Sequence, residues 1–275
     1  PTGFIHLGNL YGAFVDERLA HQSGGVFMLR IEDTDEKRKV EGAVETIISS
    51  LEFFGLKFDE GAGIEGERGD YGPYFQSRRA EIYQSFVKHL IEMGRAYPCF
   101  CTEEELEELR NRQVKENVNT GYYGKWARDR NLSLEEVEKH LNNNEEFVIR
   151  FRSEGSEEGI IEIDDAIRGK LTIHENFQDI VILKTNGIPT YHFAHVVDDH
   201  LMRITHVVRG EEWLSTLPVH YEMFKAFGWE TPVYCHTAHL MKMDGGTKRK
   251  LSKRKDPELG LGYYRELGYH PKAVR

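Results

Sequence analysis

Apolar positions along the first sixty residues follow two periods. From Asn9 to Ser23, Leu10, Ala13, Phe14, Leu19 and Ala20 fall on one stripe at helical spacing, and Gly24-Gly25 closes the segment. The next run, Val26-Phe27-Met28-Leu29 with Ile31, is almost continuously apolar, as in a strand buried on both faces of a parallel sheet. A second helical pattern from Val40 to Phe54 stops at Gly55. Helix, buried strand, helix is the repeat of a doubly wound α/β sheet.

The middle of the chain breaks that rhythm. Ala80 to Met93 reads as a helix, and Thr102-Glu103-Glu104-Glu105 opens another as a capping box with acidic residues at the positive end of the helix dipole. Phe147 to Phe151 and Ile160 to Ile163 alternate as antiparallel strands do. Helices set apart from strands predict an inserted α+β module over about 77–184. The strand-like Ile204 to Val208, the helical 214–227 and the strand-like Pro232-Val233-Tyr234 restore the α/β alternation.

Length and composition narrow the class. A chain of 275 residues fits about two domains, and 39% hydrophobic with 30% charged residues is ordinary globular composition. No apolar run reaches the ~18 residues of a membrane helix, so no membrane partner is expected. Three cysteines cannot build a disulfide framework; a reducing, cytoplasmic setting is expected. A net charge of −10 speaks against a general nucleic-acid binder, yet Lys242 to Lys255 concentrates seven Lys/Arg against one Asp.

Two segments carry candidate chemistry. In Pro1-Thr2-Gly3-Phe4-Ile5-His6-Leu7-Gly8-Asn9, His6 and Gly8 sit where a loop enters a helix. A glycine there lets a phosphate approach backbone N–H groups, and His6 can donate to charge developing on phosphate. In Lys250-Leu251-Ser252-Lys253-Arg254, after the turn-forming Asp244-Gly245-Gly246, lysines can reach a polyphosphate. Either alone reads more simply as structure, a capping histidine or a solvated basic loop; the pair is specific.

The pair resembles the HIGH and KMSKS motifs of class I aminoacyl-tRNA synthetases. Five ordered blocks, PTGFIHLGN, LRIEDTD at 29–35, PTYHFAHVVDDH at 189–200, THVVRGEEWLSTLP at 205–218 and KLSKRK at 250–255, resemble the bacterial-type glutamyl-tRNA synthetases along the whole chain. That resemblance implies a class I synthetase fold: a Rossmann-like doubly wound parallel sheet with an inserted α+β acceptor-binding domain. It places the first half of the catalytic domain at 1–76, the tRNA acceptor-binding insertion at 77–184 and the second half at 185–240. Residues 241–275 would hold the KMSKS loop and the start of a stem-contact region, with no anticodon-binding domain in these 275 residues.

The resemblance implies that ATP with Mg2+ activates glutamate to glutamyl-adenylate, in the presence of tRNA(Glu), and that the acyl group passes to the tRNA 3' end. Catalytic roles would fall to His6, Lys250 and Lys253. ATP would be held by Gly8, Asn9, Glu212, Leu240, Lys250, Leu251, Ser252, Lys253 and Arg254. Glutamate would meet Pro1, Thr2, Gly3, Glu32, Tyr191 and Arg209, with Arg209 on the side-chain carboxylate, where a bidentate fork suits the geometry. Arg150, Arg152 and Arg168 are candidate phosphate contacts. Family members also carry a strand reading roughly RFAPS before Pro-Thr-Gly, whose Arg and Ser touch the amino acid; it is not in this sequence, which leaves the activity of these residues alone open. A monomer is expected.

Cys99-Phe100-Cys101 occupies the position of a zinc site in some members. Trp126 and Arg128 stand where further ligands would be, and neither binds zinc, so no metal site is expected. Cys235 reads as a core residue. The rival within the family is the truncated glutamyl-queuosine tRNA(Asp) synthetase, opposed by RIEDTD, GEEW, KLSKR and the full insertion. A HIGH-motif nucleotidyltransferase would be more compact, and a tRNA-binding fragment would lack ATP binding.

Overall fold

A computed structural model describes residues 5–34, 40–252 and 255–274. Helix α1 (Leu7–Gln22) starts on His6, whose ring accepts the Asn9 N–H while the Asn9 side chain takes the His6 N–H, a capping box. The apolar run after Gly24-Gly25 is strand only at β1 (Met28–Leu29), parallel to β2 (Glu60–Gly61) beyond helix α2 (Ala43–Phe53). On either side of β1 the chain is pinned by hydrogen bonds at Phe27 and Ile31. Asp59 donates its N–H to the Phe27 carbonyl, and Ile31 bridges to Phe75.

The middle segment holds α3 (Ala80–Glu92), β3 (Ala96–Cys99), α4 (Glu103–Lys115), α5 (Leu134–Asn142), β4 (Val148–Phe151), β5 (Ile160–Asp165), β6 (Gly169–His174) and β7 (Val181–Leu183). The Thr102 box caps α4 as its spacing predicts, with Glu105 reaching back to the Thr102 N–H at 2.9 Å. β3, β4 and β7 form one antiparallel sheet.

Helix α6 (Tyr191–Leu201), β8 (His206–Gly210), α7 (Leu217–Ala226) and β9 (Val233–Thr237) follow, with β8 and β9 parallel over five residue pairs. Two features tie the middle segment to this half. Tyr83, Val87, Ile149, Phe151 and Ile182 share one core with Phe193, Val196, Val197, Met223 and Phe224. The β5–β6 hairpin also extends the parallel sheet, β5 running beside β9 at Asp165–Tyr234 to give the order β6-β5-β9-β8. Local periodicity carries no signal for such a return.

A two-residue hairpin, β10 (Met241–Asp244) and β11 (Thr247–Lys250), turns at Gly245-Gly246 with φ of 55° and 85°. Positive φ at both positions is what such a turn requires, which is why glycines stand there. Helices α8 (Leu261–Glu266) and α9 (Pro271–Val274) complete the described chain; Leu261 packs with Ile5, Leu10, Leu51 and Leu56. Among the described residues no helix is long and apolar enough to cross a membrane.

Candidate active site

A cleft of about 730 Å3 opens between α1, β1, α6 and β8, and Glu32, Tyr191 and Arg209 line it together. Three of the predicted glutamate residues, separated by up to 177 positions, are therefore neighbours. β1 pairs only with β2 and β8 only with β9 among the described residues, and both strands line this cleft.

Arg209 projects from β8 on a tightly defined mount. Its Nε–H donates to His236 Nε2 at 2.9 Å, one terminal N–H to His220 Nδ1 at 3.2 Å and another to the Trp213 carbonyl at 3.4 Å. The Tyr234 ring lies 4.9 Å from the guanidinium carbon, in cation–π range. Because a guanidinium only donates, each imidazole nitrogen facing it must be unprotonated. His236 therefore turns its Nδ1–H to Asp165, 2.6 Å away, and His220 its Nε2–H to His192 Nδ1, 2.9 Å away. Burial holds the pKa of His220 well below its ordinary value, and lowers those of His192 and His236. Among the described residues no carboxylate pairs with Arg209. These bonds use one N–H of each terminal nitrogen, and the Tyr191 hydroxyl also accepts from the guanidinium.

The opposite wall is a buried charge network. Arg30 sits 2.8 Å from Asp199, 3.5 Å from Glu32 and 3.8 Å from Asp198. Asp198 is fully buried and accepts Arg79 Nε at 2.8 Å, Gln76 Nε2 at 3.0 Å and the Tyr83 hydroxyl at 2.7 Å. Asp199 faces His195 Nδ1 at 3.2 Å, while His195 Nε2 meets the Tyr234 hydroxyl at 3.5 Å. Burial drives the His195 pKa down to about 4, so this ring is neutral. Tyr191 stacks beside His195 and Trp213, and burial pushes its phenol up to about 12.

The predicted nucleotide residues gather at a second place. Lys250 Nζ lies 3.3 Å from His239 Nε2, and His239 Nδ1 lies 3.4 Å from Glu212. The Leu251 N–H donates to the Leu240 carbonyl, and the Ser252 N–H to buried Asp256 at 2.9 Å. Asp256 also takes Arg249 through two N–H bonds of 2.7 and 2.8 Å, and these bonds hold its carboxyl well below the usual range. His6 bridges to Gly260, just past the basic loop, which brings the helix start and the loop's C-terminal flank together. A side chain at Gly8 would fall within 3.0 Å of the His6 ring, so the glycine makes room for the histidine cap. Pro1, Thr2, Gly3, Lys253 and Arg254 lie outside the described residues.

Sequence reasoning missed Arg30, Asp165, His195, Asp199, Trp213, His220, His236 and His239. The three candidate phosphate arginines are engaged internally. Arg150 is buried against Tyr122 and donates to the Asp179 carbonyl; Arg152 caps the Arg130 carbonyl; Arg168 donates to Glu211 and to the His236 carbonyl. Near the thiols, Asp129, the residue after Arg128, comes within 4.8 Å of Cys99 and Cys101. Its carboxylate already accepts the Phe100 N–H and Arg128 Nε, both at 2.7 Å. Two thiols and an arginine-bound carboxylate fall short of the four free donors of a structural zinc site.

Comparison with known proteins follows the same lines. The family described as tRNA synthetases class I (E and Q), catalytic domain, matches residues 1–275. The chain belongs to that family. A glutamate–tRNA ligase of Acetivibrio thermocellus is 81% identical over all 275 residues and one of Clostridium perfringens 54%, the chain covering half of each. The chain thus spans about half the length of the curated relatives it matches. The crystal structure of a glutamate tRNA ligase from Elizabethkingia meningosepticum, in complex with its amino acid, superposes with a TM-score of 0.88 at 38% identity, covering 99% of this chain and 57% of that one. The class I synthetase fold is therefore that of this chain. The cleft around Arg209 and the Glu212–His239–Lys250 cluster are thus two separate groups of candidate site residues.

Proposed function

We propose that the protein of which this chain is the catalytic part is a glutamate–tRNA ligase, forming glutamyl-adenylate from glutamate and ATP and passing the glutamyl group to the 3' end of tRNA(Glu). The observation that carries the reading is Arg209: a half-buried guanidinium held by neutral imidazoles, with a terminal N–H left for a carboxylate and no carboxylate partner among the described residues. Glu32 and Tyr191 take the ammonium end of the amino acid.

The α-carboxylate of glutamate is already an anion, so its oxygen attacks the ATP α-phosphate without a general base, and pyrophosphate leaves. What the step needs is alignment and cationic stabilisation of phosphate oxygens. His6, Lys250 and Lys253 are assigned that role, with Gly8, Asn9, Glu212, Leu240, Leu251, Ser252 and Arg254 around the nucleotide. Mg2+ arrives with ATP and spreads charge on its phosphates. The tRNA ribose hydroxyl then attacks the acyl carbon and AMP departs. Residues 77–184 are assigned to the acceptor end, no zinc is assigned to Cys99 and Cys101, and the enzyme is placed in the cytoplasm as a monomer. Identities of 81% and 54% to relatives named glutamate–tRNA ligases support this reading over the truncated queuosine-modifying paralogue.

The test is ATP–pyrophosphate exchange by the full-length protein with purified tRNA. Exchange with glutamate, and none without tRNA, is expected. Exchange with aspartate or glutamine but not glutamate overturns the assignment.

A further inference from the structure

We propose that Asp165 and His236 act as a positioning dyad for Arg209, aiming its guanidinium at a side-chain carboxylate without neutralising it. This rests on the reading of Arg209 as the residue that grips the glutamate side chain.

Asp165 cannot swing. Its carboxylate accepts the N–H groups of Ile167 at 3.0 Å, Arg168 at 2.9 Å and His236 at 3.1 Å, and its side chain is fully buried, as is that of His236. A carboxylate fixed in this way dictates the tautomer of His236. The Nδ1–H is drawn to Asp165, and the lone pair on Nε2 is left facing Arg209 Nε–H. The carboxylate thus orients the arginine through an imidazole and does not touch it. Direct contact would form an ion pair and satisfy the guanidinium's charge. The interposed neutral ring takes one hydrogen bond and leaves the charge for the ligand.

Two consequences follow. With Nε–H taken by His236, a side-on fork is blocked, and a carboxylate must dock at the terminal nitrogens. A side-chain amide docking there supplies no negative charge, so the half-buried cation stays uncompensated, which penalises glutamine against glutamate. The dyad also crosses a topological boundary, since Asp165 ends β5 of the middle segment whereas His236 and Arg209 stand on β9 and β8. The β5–β9 junction at Asp165–Tyr234 therefore sets the geometry of the cleft around Arg209.

The experiment is steady-state ATP–pyrophosphate exchange on the full-length protein with tRNA, comparing wild type with His236→Leu, His236→Gln, Asp165→Asn and Arg209→Met. For His236→Leu the KM for glutamate rises about tenfold or more, as expected for losing a hydrogen bond to a charged group. The KM for ATP and kcat stay within about threefold, and the glutamate-over-glutamine preference shrinks. His236→Gln keeps an acceptor toward Arg209 and a donor toward Asp165, and restores most of the affinity. Asp165→Asn falls between. A glutamate KM within twofold of wild type in His236→Leu overturns the dyad, as does an equal rise in both KM values or a His236→Gln variant no better than the leucine. Should the leucine variant not fold, His236→Gln and Asp165→Asn decide: a glutamine variant as impaired as the asparagine one overturns the dyad. Arg209→Met separates the two layers. If it spares glutamate binding, the functional reading fails; if it abolishes binding while His236→Leu does not, only the dyad fails.

Discussion

The cleft around Arg209 and the Lys250 cluster are built on opposite principles. Around Arg209, charges are buried or half-buried and each is fixed by several partners: Arg209 by His236, His220 and Trp213, and Arg30 by Asp199, with Asp198 alongside. Around Lys250, β10 and β11 are exposed almost throughout, and Lys250 Nζ lies 3.3 Å from His239 Nε2. The contrast teaches where rigidity is useful. Discrimination between a carboxylate and an amide needs donors fixed before the ligand arrives. In the proposed reaction, charge that develops on phosphate calls for cations that can follow it, and the exposed β10–β11 hairpin presents them, anchored by the Arg249–Asp256 pair.

The comparison breaks most readily at Asp198. Converting it to asparagine removes the charge facing buried Arg79, and a loss of about 3–5 kcal/mol in unfolding free energy is expected by urea titration. A smaller effect tests the neutral imidazoles. Their folded-state pKa values lie below the ordinary 6.5, so the unfolded chain binds protons first as pH falls. The stability they contribute is complete above about 6.5 and declines as pH drops toward about 4; for His195 alone the shift amounts to roughly 3 kcal/mol. Unfolding titrations at a series of pH values should show that decline, and His195→Gln should flatten it. The smallest effect belongs to the exposed hairpin. Lys250→Ala should lower kcat for exchange about ten- to a hundredfold, with the KM for glutamate within twofold and the urea midpoint unchanged. A large stability loss in that variant would erase the distinction between the two regions.

Local structure was legible where local chemistry decides it. The Thr102 capping box and the Gly245-Gly246 turn each depend on residues within a few positions of one another, whereas the stripe predicted on α1 splits, Leu10, Ala13 and Phe14 packing in the core and Leu19 and Ala20 lining the cleft. The α/β alternation was legible for the same reason, and the motif blocks brought Glu32, Tyr191 and Arg209 to one site. What escaped needs the assembled sheet. Asp165 looks like one more strand-end acid until β5 returns beside β9 and delivers it to His236. His192, His195 and His220 stand on two helices of mixed polarity, and their role as neutral acceptors exists only once α6 packs on α7. Asp129 escaped because its partners Cys99 and Cys101 lie across the middle segment. Arg150 reads in the sequence as a candidate phosphate contact, whereas it is buried with its guanidinium 4.1 Å from the Tyr122 ring and bonded to the Asp179 carbonyl.

The claim that the cleft is built around an uncompensated arginine is tested most directly by substrate preference. The measurement is kcat/KM for glutamate and for glutamine in tRNA-dependent exchange, in the full-length wild type and in Arg209→Met. A strong preference for glutamate that collapses in the variant, by about 100- to 1000-fold in kcat/KM for glutamate, is the predicted result. A preference that survives the loss of Arg209 would contradict the account.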